Sequence, residues 1–298
     1  MTAPQSPEQT AQPGPAARCL NCGAALTGRY CANCGQTADV HVPSTRELFH
    51  EAIEGITHSD SRLWNSLKLL WFKPGKLTQE FVAGRRASYL PPFRLYLVLS
   101  VIFFLIASLG NSRVNYVRFD GTSITSAAGP SQSECANRHL NVFGRDWGPR
   151  FEHACNEVAR DSGASLFHIA VGIAPKAMFL FLPLVAFLHM LMYWRPRHKY
   201  AVDLLFFLHV HAFFFSVMTV AVLTEDLANA WPAFDRVETH LLPLLLWTLP
   251  LYSVLAMRRV FGGSWTGTLV KGAALFLVYM VVLGITVAGI FIYAMLQL

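Results

Sequence analysis

Five stretches of this chain are each long and apolar enough to cross a bilayer, which takes about 17 to 25 residues per helix: 93–109, 177–194, 202–223, 241–257 and 272–298. Backbone polar groups inside hydrocarbon must be satisfied within their own segment, so such stretches become helices. The fourth carries Pro243 and Pro250 and is expected to kink. Composition points the same way, with 53% of residues hydrophobic and 14% charged, against roughly 25% charged in soluble domains. The expected fold class is an all-α integral membrane protein with about five transmembrane helices.

Charge placement orients the spans, because Lys and Arg in short flanking segments collect on the cytoplasmic side. Between Ser61 and Arg94, at the start of the first span, stand Arg62, Lys68, Lys73, Lys76, Arg85, Arg86 and Arg94, opposed only by Glu80. RPRHK at 195–199 and the connection from Arg258 and Arg259 to Lys271 are basic, whereas EDLANAWPAFDRVE at 225–238 is acidic. Five crossings with a cytoplasmic N-terminus put every basic segment inside and the C-terminus outside. MTAPQSPEQTAQPGPAAR has no apolar core and is not a secretory signal; residues 1–17 read as a disordered tail. The expected location is a bacterial inner membrane, crossed several times.

On this topology residues 110–173 form an extracytoplasmic subdomain. NYVRFDGTSI carries a hairpin signal at Asp120-Gly121, and SECANRHL and GPRFEHACNEVARD read as helical. Each helical piece holds one cysteine, Cys135 and Cys155. In an oxidising space the pair is expected to form a disulfide; the competing reading is two buried free thiols, since spacing does not set the Cα separation.

The other four cysteines, Cys19, Cys22, Cys31 and Cys34, form two CxxC pairs within 18–37, each followed by a glycine, Gly23 and Gly35. One tight turn presents both sulfurs of a pair to a single ion, and the glycine relieves that turn. Four thiolates suit structural zinc, with iron as the lesser option. A catalytic zinc needs an open coordination position that four cysteines do not leave. Arg18, Arg29 and Tyr30 are too few for a nucleic-acid face, so the expected use of this zinc ribbon is structural or to dock a cytoplasmic protein partner.

Residues 43–89 read as amphipathic juxtamembrane helices. Ser44 and Glu47 make a capping box, and SRLWNSLKLLWF sets Leu63, Trp64, Leu67, Leu70 and Trp71 at helical spacing. Such a helix lies in the membrane surface or packs on the cytoplasmic ends of the spans. Trp64, Lys68, Trp71, Arg85, Arg86 and Arg94 are the candidate contacts to lipid head groups. The CxxCG pairs, Pro74-Gly75, Gly84-Arg85-Arg86, Tyr89 and Pro91 together resemble an uncharacterised bacterial membrane family, domain-of-unknown-function family 3667. The resemblance covers roughly the first third of the chain. It implies an integral inner-membrane protein with a cytoplasmic zinc ribbon, and it implies no catalytic residues.

Inside the spans, His189 and His209 fall at similar depth on adjacent antiparallel helices, with Asp203 at the start of the third span. Ionisable groups there are functional candidates. His209 and His211 lie about 200° apart around a helix and do not serve one ion together. Gly284 and Ala288 have the small-xxx-small spacing of close helix contacts, within the chain or between protomers. No nucleotide, hydrolase or metalloprotease motif is present. The expected role is therefore a scaffold or sensor, with a transporter or membrane enzyme built on the histidines as the alternative.

Overall fold

The computed structural model describes residues 18–40, 61–109, 141–142, 145–146, 148–161, 164–192, 199–231 and 235–297. The expected tail, the Ser44/Glu47 capping box, the Asp120-Gly121 turn and Cys135 lie outside the described residues. Among them the helices are α1 (Ser61–Phe72), α2 (Lys76–Val82), α3 (Pro92–Leu109), α4 (Gly148–Asp161), α5 (Ala164–Met192), α6 (Tyr200–Ala230), α7 (Asp235–Phe261) and α8 (Trp265–Gln297). A two-stranded antiparallel ladder, β1 (Asn141–Val142) with β2 (Arg145–Asp146), precedes α4 in the chain.

Among the described residues, four helical stretches are long and apolar enough to cross a membrane: Gly172–Met192, Tyr200–Ala230, Thr239–Phe261 and Trp265–Met295. Pro92–Ser108 is a shorter apolar helix, so the plain count is four where five were expected. Helix boundaries also differ from hydropathy. The 31 residues of α6 rise about 46 Å against a hydrocarbon core of about 30 Å, so Glu225 and Asp226, expected in a loop, extend the helix past its apolar part. Likewise α8 begins at Trp265 rather than near Gly272 because Ser264 caps it: Gly267 N–H donates to Ser264 Oγ at 3.1 Å. Lys271 thus sits within a helix, and the basic connection after α7 shrinks to Gly262–Ser264.

The core is organised around α6. Of its most apolar window 72% is buried, against 6% for α8, whose outer faces remain apolar. Helix α3 runs parallel to α6, since Phe93 and Tyr96 lie by Leu204 and Leu208 while Phe103 and Phe104 reach Phe215 with ring centroids 5.4 and 5.7 Å apart. By contrast α5 and α7 run against α6. Phe181 meets His211 and His189 meets Phe206; Tyr252 stacks on Phe213 at 3.8 Å and Phe261 meets Phe206.

Candidate functional site

Two similar knuckles build the Cys segment. In the first, Cys19 N–H donates to Ala24 O and Gly23 N–H to Cys19 O; in the second, Cys31 N–H donates to Gln36 O and Gly35 N–H to Cys31 O. Gly23 at φ 76° and Gly35 at φ 72° take the left-handed conformation that closes each turn. Cys19, Leu26 and Cys31 are buried and pack with Ala24, Cys34 and Ala38. A core this small cannot hold a fold alone, so the segment needs another source of stability.

The four sulfurs supply a fitting donor set for one. Cys19 and Cys34 Sγ lie 3.6 Å apart, Cys22 and Cys31 Sγ 3.5 Å, and all four lie within 4.8 Å of one another. A tetrahedral thiolate site with metal–sulfur bonds of about 2.3 Å has edges of about 3.8 Å. These distances exceed the roughly 2.05 Å of a disulfide. The Ala24 N–H facing Cys22 holds its thiol down at about 6, while burial pushes Cys34 up to about 11. Four such groups ionise together only around a cation, so the cluster could bind one metal ion.

This module sits on the chain's own juxtamembrane segment. Helix α2 ends in a Schellman turn, with Arg85 N–H donating to Glu80 O, Gly84 N–H to Phe81 O, and Gly84 at φ 83°. The Gln36 carboxamide closes on that turn: Nε2 donates to Gly84 O at 2.8 Å, and Oε1 accepts from Arg86 N–H at 3.1 Å and Ala87 N–H at 3.2 Å. Ser88 Oγ donates to Asn21 Oδ1 at 3.1 Å. A Cβ on Gly84 would lie 2.9 Å from both Leu20 Cδ1 and Val40 Cγ1, so the approach needs glycine. Arg85 folds back onto Glu80 in a two-point ion pair, and Lys76 reaches the same carboxylate at 2.9 Å. The hydrogen-bonded Arg85 guanidinium keeps the Glu80 carboxyl at about 2.

The α1–α2 hairpin in turn packs on α6 and α7. Leu70, Leu77 and Phe81 are buried, and Trp71 meets Phe213 edge-on at 5.5 Å. Gly75, at φ 72°, passes so close to α7 that a Cβ would lie 2.7 Å from Ala256 O. Arg259 Nη1 donates to Pro74 O at 2.5 Å, and Gln79 Nε2 to Arg259 O at 2.6 Å. The candidate membrane-surface residues therefore divide. Trp64 and Lys68 are exposed, together with Phe72 one turn on, whereas Trp71 turns inward and Arg85, Arg86 and Arg94 are half-buried.

The intramembrane histidines are all buried, with different partners. Asp203 Oδ1 accepts from His189 Nδ1 at 2.5 Å, with both side chains fully buried. His209 Nδ1 shares a 2.9 Å hydrogen bond with Thr78 Oγ1 of α2. His211 bonds Phe207 O at 2.9 Å and the Tyr279 hydroxyl at 3.2 Å. Similar depth on neighbouring helices thus does not make a His189/His209 pair in which each serves the other. Sequence reasoning missed Gln36, Thr78, Glu80 and Tyr279 as partners; the excess of bases around the single Glu80 was the one usable signal. Cys155 is buried on α4. Gly284 and Ala288 face outward, with open space where a Gly284 Cβ would stand.

Fold and site together define an all-helical protein whose four long apolar helices are compatible with a membrane protein, carrying near its N-terminus a four-cysteine cluster that could bind a metal ion. Residues 60–104 match the model of the family described as "Protein of unknown function (DUF3667)", so the resemblance holds over the segment that contains Pro74-Gly75, Gly84-Arg85-Arg86, Tyr89 and Pro91. No curated protein matches the chain, and no solved structure does.

Proposed function

We propose that this is a five-span bacterial inner-membrane protein whose four-cysteine module binds structural zinc on the cytoplasmic side and works as a scaffold or sensor head. The observation that carries the reading is the three-bond contact of Gln36 with the Gly84–Ala87 turn, which ties the metal module to the membrane domain. With that face engaged in cis, Tyr30, 57% exposed and beside Arg29, marks a face left for a cytoplasmic protein. The parallel course of α3 and α6 supports five crossings, because spans one and three must run in the same direction with α5 returning between them. The proposal includes lipid contact through Trp64 and Lys68, a Cys135–Cys155 disulfide outside, and self-association through Gly284 and Ala288.

Purified protein should hold about one zinc per chain, and Cys31→Ser should lose it. Proteins captured by the intact chain should be lost on chelation and in Tyr30→Ala, while His189→Gln/His209→Gln retains them; capture indifferent to both chelation and Tyr30 would sink the docking role. In intact cells, Cys135 and Cys155 should accept a membrane-impermeant thiol label only after external reduction.

The buried His189–Asp203 pair favours a second reading, a transporter with a proton-handling site. It requires proton flux in proteoliposomes that His189→Gln abolishes.

A further inference from the structure

A cavity of about 570 Å³ lies between α6, α7 and α8, inside the range of small-molecule pockets between bundle helices. Phe206, Val210, Phe214, Leu249, Met257 and Leu275 supply much of its apolar wall. Its polar lining residues are His211, Ser253 and Tyr279, and Leu246 and Pro250 of α7 also line it.

Each of these polar groups has its proton committed elsewhere. Phe207 O is an acceptor, so the His211 nitrogen 2.9 Å from it, Nδ1, carries the hydrogen. A neutral imidazole then offers only a lone pair at Nε2, and the Tyr279 hydroxyl 3.2 Å away donates to it. That leaves Tyr279 with oxygen lone pairs and no hydrogen to give. Ser253 Oγ donates to Leu249 O at 2.9 Å and is in the same position. Pro250 has no N–H, so the Leu246 carbonyl four residues earlier lacks its ordinary helical donor. The cavity is apolar with acceptors on its wall and no side-chain donor to spare.

We propose that this cavity binds a membrane-soluble alcohol, its apolar body against the phenylalanines and its hydroxyl donating to Tyr279 or Ser253. Quinones and ethers of the same size bring oxygen lone pairs against oxygen lone pairs and are disfavoured. The selectivity follows from the His211 tautomer, which Phe207 O sets, and does not depend on the role of the metal module.

The test uses the full chain in nanodiscs with two photoreactive probes, a diazirine-bearing long-chain alcohol and its methyl ether. Expected is preferential labelling of cavity residues by the alcohol, about fivefold over the ether, the equivalent of one neutral hydrogen bond. An isoprenoid alcohol should compete and an isoprenoid benzoquinone should not. Ala273→Phe fills the space from α8, and Gly272→Leu does so from the neighbouring position, where a Cβ meets Val254 Cγ2 at an ordinary 3.7 Å; both should remove the labelling. Equal labelling by alcohol and ether, showing lipid tails only, or preferential competition by the quinone, overturns the proposal on the unaltered chain.

Discussion

Gln36→Ala removes the central tie between the four-cysteine module and the helical bundle without touching a cysteine. The lost carboxamide makes one hydrogen bond to Gly84 O and accepts two, from Arg86 and Ala87 N–H. At about 1 kcal/mol net for each neutral hydrogen bond, three amount to about 3 kcal/mol. Arg86 and Ala87 are half-buried, so water recovers part of this once the module lifts away, leaving about 2 kcal/mol, or about a 30-fold shift in the docking equilibrium. Hydrogen–deuterium exchange on zinc-loaded protein in nanodiscs reads it directly: the peptide spanning Gly84 to Ser88 should lose protection by about that factor. Zinc content should be unchanged. Unaltered exchange would show that the turn protects itself and that Gln36 only decorates it; coincident zinc loss would show that the seat and the metal site are one cooperative unit.

Other perturbations follow from the same geometry. Gly75→Ala places a Cβ 2.7 Å from Ala256 O at φ 72°; the left-handed conformation costs about 1–2 kcal/mol and overpacking about 1–3, so a loss below about 1 kcal/mol in denaturant titration of the micellar protein would contradict the close approach. Glu80 has its pKa lowered from 4.5 to about 2, so its contribution is present above about pH 4.5 and fades as pH falls through the folded value. Because Lys76 and Arg85 side chains are 38% and 41% exposed, solvent screening holds Glu80→Gln to about 1 kcal/mol near neutrality, and its difference from the parent should shrink in thermal melts taken below about pH 4.5. A difference constant down to pH 3 would refute the ion pair. Asp203→Ala removes the 2.5 Å hydrogen bond to His189 Nδ1 and should cost about 1–3 kcal/mol, whereas Asp203→Leu with His189→Leu should cost less than the single change; additive losses would contradict the pairing.

Much of the membrane architecture was legible because hydropathy reports transfer into lipid, a property of each segment alone. Ends were less legible, because helices continue past the apolar zone wherever a cap such as Ser264 or a solvated turn sustains them. The four-cysteine cluster was legible because two CxxC turns and two glycines form a local pattern. Its seat was not. Gln36 and Gly84 are 48 residues apart, and nothing about a glutamine marks it as the residue that reads a distant helix terminus. The motif Gly84-Arg85-Arg86 was visible as a pattern, with Arg85 and Arg86 read as candidate lipid contacts, but its part in the turn was not legible: Gly84 terminates α2, Arg85 turns back to Glu80, and the backbone N–H of Arg86 donates to Gln36. Trp64 shows a similar limit. Helix α1 has apolar residues on both faces, so periodicity grouped Trp64 with Leu67 and Leu70, whereas packing turned Leu70 inward and left Trp64 outside.

Helix α2 is the hinge of the functional question, because its seven residues touch everything that a sensor would have to couple. Its C-terminal turn holds the four-cysteine module, Thr78 bonds His209 of α6, and Gly75 just before it rests on α7. Contiguity of this kind is not coupling; coupling needs an element with two arrangements whose balance the metal shifts. Zinc removal separates the cases. In a scaffold, chelation unfolds the knuckles and exposes Arg86 and Ala87, but the hairpin remains seated through Leu70, Leu77 and Phe81, so exchange at Leu77 to Phe81 stays slow. In a sensor, losing the module releases α2, and exchange across Thr78 rises together with that at Arg86. The buried apolar contacts of α2 outweigh the three bonds of Gln36, since burying each large side chain is worth about 1.5–3 kcal/mol. The expected result is therefore the first, with protection lost at Gly84 to Ser88 and kept at Thr78; loss at both on chelation would make the metal a switch for the bundle.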